Sequence, residues 1–139
     1  MASKLKKLLF IDDNDIDLMV NSRIINLSGL VEEVTLFNSG ISALRHLKEI
    51  VNETEKWPDF ILLDIQMPDM NGFEFMEHFK ELPTAFINHC KVAMLSSTLD
   101  FGDIKKAEAN PLVIQLLKKP LFLDELSELI KNSFSLSRS

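Results

Sequence analysis

The sequence predicts an α/β fold, a doubly wound parallel sheet of five strands in the order 2-1-3-4-5 with five helices. Three observations predict it. Short apolar runs alternate with longer segments of helical spacing along the whole chain, the pattern of successive βαβ units. Phe60 to Leu63 is apolar without alternation and runs straight into Asp64 and the turn-forming MPDMNG, as expected of a strand buried on both faces of a parallel sheet. The runs also end in chemistry-bearing residues, Asp12 and Asp13, Asp64, Ser96 and Lys119, and the carboxyl edge of an open α/β sheet is where ligands bind. Right-handed crossovers that cover both faces favour the stated order and make the first and third strands neighbours.

The first strand is Lys7 to Ile11. Asn14 is positioned to cap a helix that Gly29 ends, and Ile16, Met19, Val20, Ile24 and Leu27 recur at three- and four-residue spacing. That spacing predicts one apolar face packed on the sheet. Glu32 to Phe37 reads as the second strand, and Ser39 caps a second helix through about Val51 with Gly40, Leu44, Leu47 and Val51 aligned. A polar loop, Asn52 to Pro58, precedes the third strand. Asn71 with Glu74 three residues on has the form of a capping box for a helix from Gly72 to about Glu81. Pro83 should stop that helix, so Leu82 to His89 is expected to be a loop packed on the surface. Lys91 to Leu95 is the fourth strand, followed by a helix through about Ala109 whose first turn Gly102 weakens. Leu112 to Leu117 is the fifth strand, and the last helix runs from about Asp124 with Leu126, Leu129, Ile130 and Phe134 aligned. Residues 135–139, SLSRS, are expected to be a frayed tail.

A chain of 139 residues suits one domain, expected to be ordered over about 5–134. Its net charge of -6 and pI near 5.0 argue against direct nucleic-acid or anionic-membrane binding, which need basic surface. One cysteine, Cys90, permits no intrachain disulfide and suits a reducing compartment. The apolar run near the N-terminus is too short for a signal peptide, and no stretch reaches the roughly 18 apolar residues of a spanning helix. A cytoplasmic location is expected.

Three carboxylates brought to one crevice repel strongly unless a cation joins them or a proton is shared. Mg²⁺ is the simplest cation: it takes one or two carboxylates and leaves room for phosphate oxygens. A carboxylate can also be a nucleophile that forms an aspartyl-phosphate, and phosphoryl transfer mainly needs positioning and charge neutralisation. Asp64 is then the nucleophile, with Asp13 and Asp12 holding Mg²⁺. Lys119 draws in a phosphoryl oxygen, and Ser96 donates a hydrogen bond to another. Each residue also has an ordinary role. Asp12 or Asp13 can serve the first helix's positive end, Lys119 can be a solvated lysine, and Ser96 a cap or turn residue. Their joint placement at the ends of separate strands, in the order the fold requires, favours the site.

The motifs FIDD at Phe10 to Asp13, LLDIQMPDMNG at Leu62 to Gly72, MLSS at Met94 to Ser97 and KP at Lys119 and Pro120 make the chain resemble a receiver domain of the response-regulator family. This is the CheY-like, flavodoxin-like phosphoacceptor of two-component signalling, and the resemblance covers essentially the whole chain. It implies that Asp64 accepts phosphate from a sensor histidine kinase or a histidine phosphotransfer protein. It implies that Asp13, Asp64 and the backbone carbonyl of Gln66 coordinate Mg²⁺, for which Mn²⁺ can substitute, with Asp12 nearby. It implies a cis bond between Lys119 and Pro120. It further implies that Ser96 and the loop after it move toward the phosphate, remodelling the face of the fourth helix, fifth strand and fifth helix for a downstream protein target. Gln66 and Thr98 fall where side chains of such domains modulate phosphate lifetime. Many receivers carry an aromatic residue three positions before the lysine of KP. Here it is Leu116, so signalling is expected to run mainly through the Ser96 loop and the Gly102-weakened helix.

A single-domain switch over 1–139 is expected, with no effector domain after the last helix, whose output is a protein contact or onward phosphotransfer. Its only expected chemistry is its own phosphorylation and dephosphorylation. The alternative is an aspartyl-phosphate-forming phosphohydrolase resembling the haloacid-dehalogenase family. Such enzymes place a general-acid Asp two residues after the nucleophile, where this chain has Gln66, which does not exchange a proton usefully near neutral pH. A flavodoxin-type phosphate loop after the first strand is opposed by the acidic DDND at Asp12 to Asp15. His46, His78 and His89 have no metal-ligand spacing, and Trp57 and the ten Phe read as packing residues.

Overall fold

The computed structural model describes residues 5–134. The expected frayed tail at 135–139 lies outside the described residues. Strands β1 (Leu5–Ile11), β2 (Val31–Phe37), β3 (Phe60–Asp64), β4 (Lys91–Ser96) and β5 (Val113–Lys118) form one parallel sheet in the order β2-β1-β3-β4-β5. The predicted sheet is therefore present, strand for strand. The helices are α1 (Asp15–Ser28), α2 (Gly40–Ile50), α3 (Gly72–Phe79), α4 (Thr84–His89), α5 (Phe101–Ala109) and α6 (Leu123–Phe134). No described helix is long and apolar enough to cross a membrane.

Successive strand residues point to opposite faces, and each face has its own core. Leu9, Ile11, Ile61, Leu63, Val92 and Met94 pack beneath α2, α3, α4 and α5, where Leu47, Phe75, Phe79, Phe86 and Ala107 close the layer. Leu8, Phe10, Phe60, Leu62, Ala93 and Leu95 pack against Leu18 and Ile25 of α1 and Leu126 and Ile130 of α6. Burial on both faces explains the unbroken apolar run in β3.

The predicted caps form. The Asn14 side chain accepts from the N–H groups of Ile16 and Asp17, and Gly29 ends α1 with φ 73°, a left-handed conformation that glycine adopts without strain. Asn71 and Glu74 make the reciprocal capping box.

Two expectations are corrected. The stretch Leu82 to His89 is not a loop: Thr84–His89 forms α4, giving six α-helices among the described residues rather than five. Pro83 ends α3 as anticipated, but its fixed φ also suits the start of a new helix. The Pro83 carbonyl accepts from Ile87 N–H at 3.0 Å, and the turn drives Phe86 into the core against Phe79 and Trp57.

The second correction concerns α1. Its apolar stripe of Ile16, Met19, Val20, Ile24 and Leu27 faces solvent, with Ile16 68% and Leu27 88% exposed, while Leu18, Ser22 and Ile25 are buried. At about 100° per residue, Ile16, Val20 and Leu27 lie opposite the buried set. The helix is apolar on two sides, so spacing alone does not choose between them. The short link from Asp12 to the Asn14 cap fixes the rotation, turning Leu18 inward and Asp17 toward the sheet edge.

Candidate functional site at the carboxyl edge of the sheet

Parallel register builds the site. Ile11 pairs with Leu63, so Asp12 comes level with Asp64 one step beyond. Asp64 pairs with Leu95 and Ser96 with Lys118, placing Ser96 and Lys119 on the next two strands of the same edge. Backbone bonds extend the ladders past the strand ends, from Asp12 N–H to Phe37 carbonyl at 3.1 Å and from Lys119 N–H to Ser96 carbonyl at 2.8 Å. The Lys119–Pro120 bond is cis.

Asp12, Asp64 and Ser96 are buried, whereas Asp13 is exposed. Carboxylate oxygens of Asp12, Asp13 and Asp64 lie within 4.8 Å of one another, a spacing that could hold a metal ion. Lys119 Nζ donates to Asp12 Oδ2 at 2.8 Å and lies 3.4 Å from Asp64 Oδ1 and 3.9 Å from Asp17 Oδ2. Asn14 N–H donates to Asp12 Oδ1 at 3.0 Å. Both oxygens of Asp12 are thus engaged. Among the described residues, Asp64 Oδ1 is buried and has no hydrogen-bond partner, and its one ion-pair neighbour is Lys119.

Burial and the adjacent Asp12 charge push the Asp64 carboxyl up to about 7, against the opposing pull of Lys119. Burial alone would lower the Lys119 pKa, but the Asp12 hydrogen bond and the two carboxylate charges outweigh it and raise it. The site therefore has more negative charge than one lysine neutralises. A divalent cation held by the three carboxylates would meet that deficit.

Gly72 shapes the floor beneath Asp64. Its N–H donates to Ile65 carbonyl at 2.9 Å, and a Cβ there would meet Met94 Cε at 2.8 Å, Asp64 carbonyl oxygen at 2.9 Å and Ile65 Cα at 3.0 Å. Two of the three obstacles are backbone. Gly72→Ala is expected to destabilise the protein by about 1–3 kcal/mol, the usual cost of overpacking, read as a lower urea midpoint at unchanged slope.

The structure brings every predicted site side chain to one edge, and places Gln66 directly after it. Sequence reasoning missed Asp17, although its position in the first turn of α1, on the side of the buried Leu18, is a usable signal. It singled out the Gln66 side chain but not its contact with Ser96, whose Oγ accepts from Nε2 at 2.9 Å. His46, His78 and His89 stay out of the site: His46 lies against Phe37 and His89 pairs with Asp59 at 2.8 Å.

The sequence model of the response regulator receiver domain matches residues 8–131. The chain belongs to this family. It is similar to a response regulator receiver protein of Dyadobacter fermentans, at 43% identity over 93% of this chain and 98% of that one, with a TM-score of 0.83. A two component response regulator of Cytophaga hutchinsonii is 36% identical over 96% and 99% of the two chains, with a TM-score of 0.88. Among curated proteins it is similar to hybrid signal transduction histidine kinase L of Dictyostelium discoideum, at 31% identity over 91% of this chain. The chain spans 7% of that kinase's length, and 7% of a second Dictyostelium hybrid kinase. The receiver domain is a phosphoacceptor module of two-component signalling, and the fold agrees with that of both bacterial regulators.

Proposed function

We propose that this receiver domain is a phosphorylation switch in which Asp64 accepts a phosphoryl group from a histidine kinase or histidine phosphotransfer protein. The observation that carries the reading is Asp64 Oδ1: buried at the sheet edge, without a hydrogen bond, and 3.4 Å from the Lys119 ammonium. An unpaired buried carboxylate oxygen is costly as a structural element and suited to attack. In the proposed step that oxygen forms a bond to phosphorus as the phosphorus–nitrogen bond of the donor phosphohistidine breaks, and the imidazole leaves with the bonding pair. Lys119 moves its charge from the carboxylates to a phosphoryl oxygen, and Ser96 donates to another. Asp12 and Asp13 with Asp64 and the Gln66 carbonyl would hold Mg²⁺, or Mn²⁺ in its place. The ion would supply charge neutralisation at the transferring group.

The exposed stripe on α1 starts three residues after Asp13, on the same turn as Asp17, and so runs away from the rim of the site. We take it as the docking surface for the protein donor, because five exposed apolar side chains on one helix exceed scattered surface exposure. Val20→Lys with Ile24→Lys is expected to leave stability within about 0.5 kcal/mol and phosphorylation by acetyl phosphate unchanged. Transfer from a phosphohistidine protein is expected to slow at least about tenfold, the equivalent of 1.4 kcal/mol of lost contact. Equal slowing with both donors would place the effect in the site.

Output is assigned to the face of α5, β5 and α6. Between α5 and β5 a groove of about 280 Å³ is lined by Leu99, Ile104, Ala107, Val113 and Leu116, and α5 buries only Ala107. A cytoplasmic domain whose signal leaves by protein contact or onward phosphotransfer fits this surface. The test of the switch is phosphorylation by acetyl phosphate followed by intact mass, with and without a chelator. One phosphoryl increment that requires the divalent cation supports it, and an increment indifferent to chelation would remove the metal from the reading.

A further inference from the structure

The Ser96 hydroxyl is fully occupied, by groups other than Asp64. A hydroxyl has one proton to donate and two lone pairs to accept with. Ser96 Oγ donates to Thr98 carbonyl, and accepts from Thr98 N–H at 3.2 Å and from Gln66 Nε2 at 2.9 Å. Gln66 also holds the next residue, its Oε1 accepting from Ser97 N–H at 3.2 Å and from Ser97 Oγ at 3.4 Å. One exposed side chain on the β3–α3 loop thus ties down the start of the β4–α5 loop at two successive residues. The proton of Ser96 is committed to Thr98.

We propose that Gln66 is a positioning residue that latches Ser96 and its loop in the resting arrangement, so that the site binds a phosphoryl group only after this amide lets go. The proposal rests on the reading of Asp64 as phosphoacceptor and concerns the resting state before any phosphoryl group is present. For Ser96 to donate to an oxygen on Asp64, its hydroxyl must leave Thr98 carbonyl. Gln66 opposes that turn by holding Oγ through Nε2 and by anchoring the Ser97 backbone. The latch competes directly with the ligand for one hydroxyl. Ligand affinity is therefore reduced by the fraction of molecules in which the loop is free.

Gln66→Leu keeps the size of the side chain and removes both ends of the latch. Its backbone carbonyl is retained. Loss of a hydrogen bond of ordinary net strength is expected to tighten beryllofluoride binding in the presence of Mg²⁺ about fivefold, measured by titration calorimetry. In a Ser96→Ala background the same substitution is expected to change affinity less than about twofold, because there is no hydroxyl to release. Amide exchange at Ser97, followed by NMR in the metal-free protein, is expected to accelerate about fivefold in Gln66→Leu. Equal or weaker beryllofluoride binding by Gln66→Leu, or equal tightening with and without Ser96, would overturn the latch. If the wild-type protein binds no beryllofluoride, the phosphoacceptor reading fails instead. The Ser97 amide then decides the latch alone, unchanged exchange overturning it.

Discussion

Asp64→Asn is expected to lose all phosphorylation by acetyl phosphate and, without a divalent cation, to be more stable than wild type. The first effect follows from the role proposed for Asp64, because an uncharged amide oxygen is a far weaker nucleophile than a carboxylate. The second follows from its environment. The folded-state pKa of Asp64 is about 7, above the roughly 3.9 of an unfolded aspartate. Between those values the folded chain binds a proton that the unfolded chain does not, so stability falls as pH rises from about 4 to 7 and is level above. Asparagine carries no charge to desolvate. At pH 8 it is expected to stabilise the protein on the order of 2 kcal/mol after the cost of burying its amide, and to flatten the pH dependence between 4 and 7. Thermal melts of both proteins across that range in EDTA check this. An asparagine variant less stable than wild type at pH 8 would mean that the carboxylate is well accommodated.

Lys119→Met is expected to act in the opposite direction. Asp12 is fully buried, and its 2.8 Å contact with Lys119 is the only side-chain hydrogen bond to Oδ2 among the described residues. Removing one partner of a buried ion pair leaves an uncompensated charge, which costs about 3–5 kcal/mol, and here a second carboxylate, Asp64, loses its cation as well. The melting temperature at pH 8 in EDTA is expected to fall by about 10–20 °C. The deficit should shrink as pH falls toward 7, because without the opposing Lys119 charge Asp64 takes up its proton at a higher pH than in the wild type. Saturating Mg²⁺ should recover part of it, since a ligand of the folded state stabilises by mass action. A variant as stable as wild type in EDTA would make Lys119 a solvated surface lysine.

These two variants probe the part of the molecule that was most legible. The strand order and the edge site follow from residue types at strand ends: once β1 and β3 are neighbours, Asp12 and Asp64 have to meet. Caps were equally readable, because Asn14, Gly29 and the Asn71–Glu74 pair act within a few residues of backbone. The α4 helix was hidden because Pro83 carries the same letter whether it ends one helix or opens the next. The orientation of α1 was hidden because Leu18 and Ile25 compete with Ile16, Val20 and Leu27 for the inner face, and only the connection to Asp12 settles it. The link between Gln66 and Ser96 spans 30 residues. Nothing local in sequence signals it, since it depends on how two loops meet above β3 and β4.

The central claim is tested most directly by locating the phosphoryl group. Wild-type protein would be phosphorylated with acetyl phosphate and Mg²⁺, reduced with borohydride to convert any aspartyl-phosphate to homoserine, and mapped by peptide mass spectrometry. The account predicts homoserine at position 64 and nowhere else, and none after chelation. Phosphate retained on Ser96 or a histidine, or homoserine at Asp12 or Asp13 with Asp64 unchanged, would contradict it.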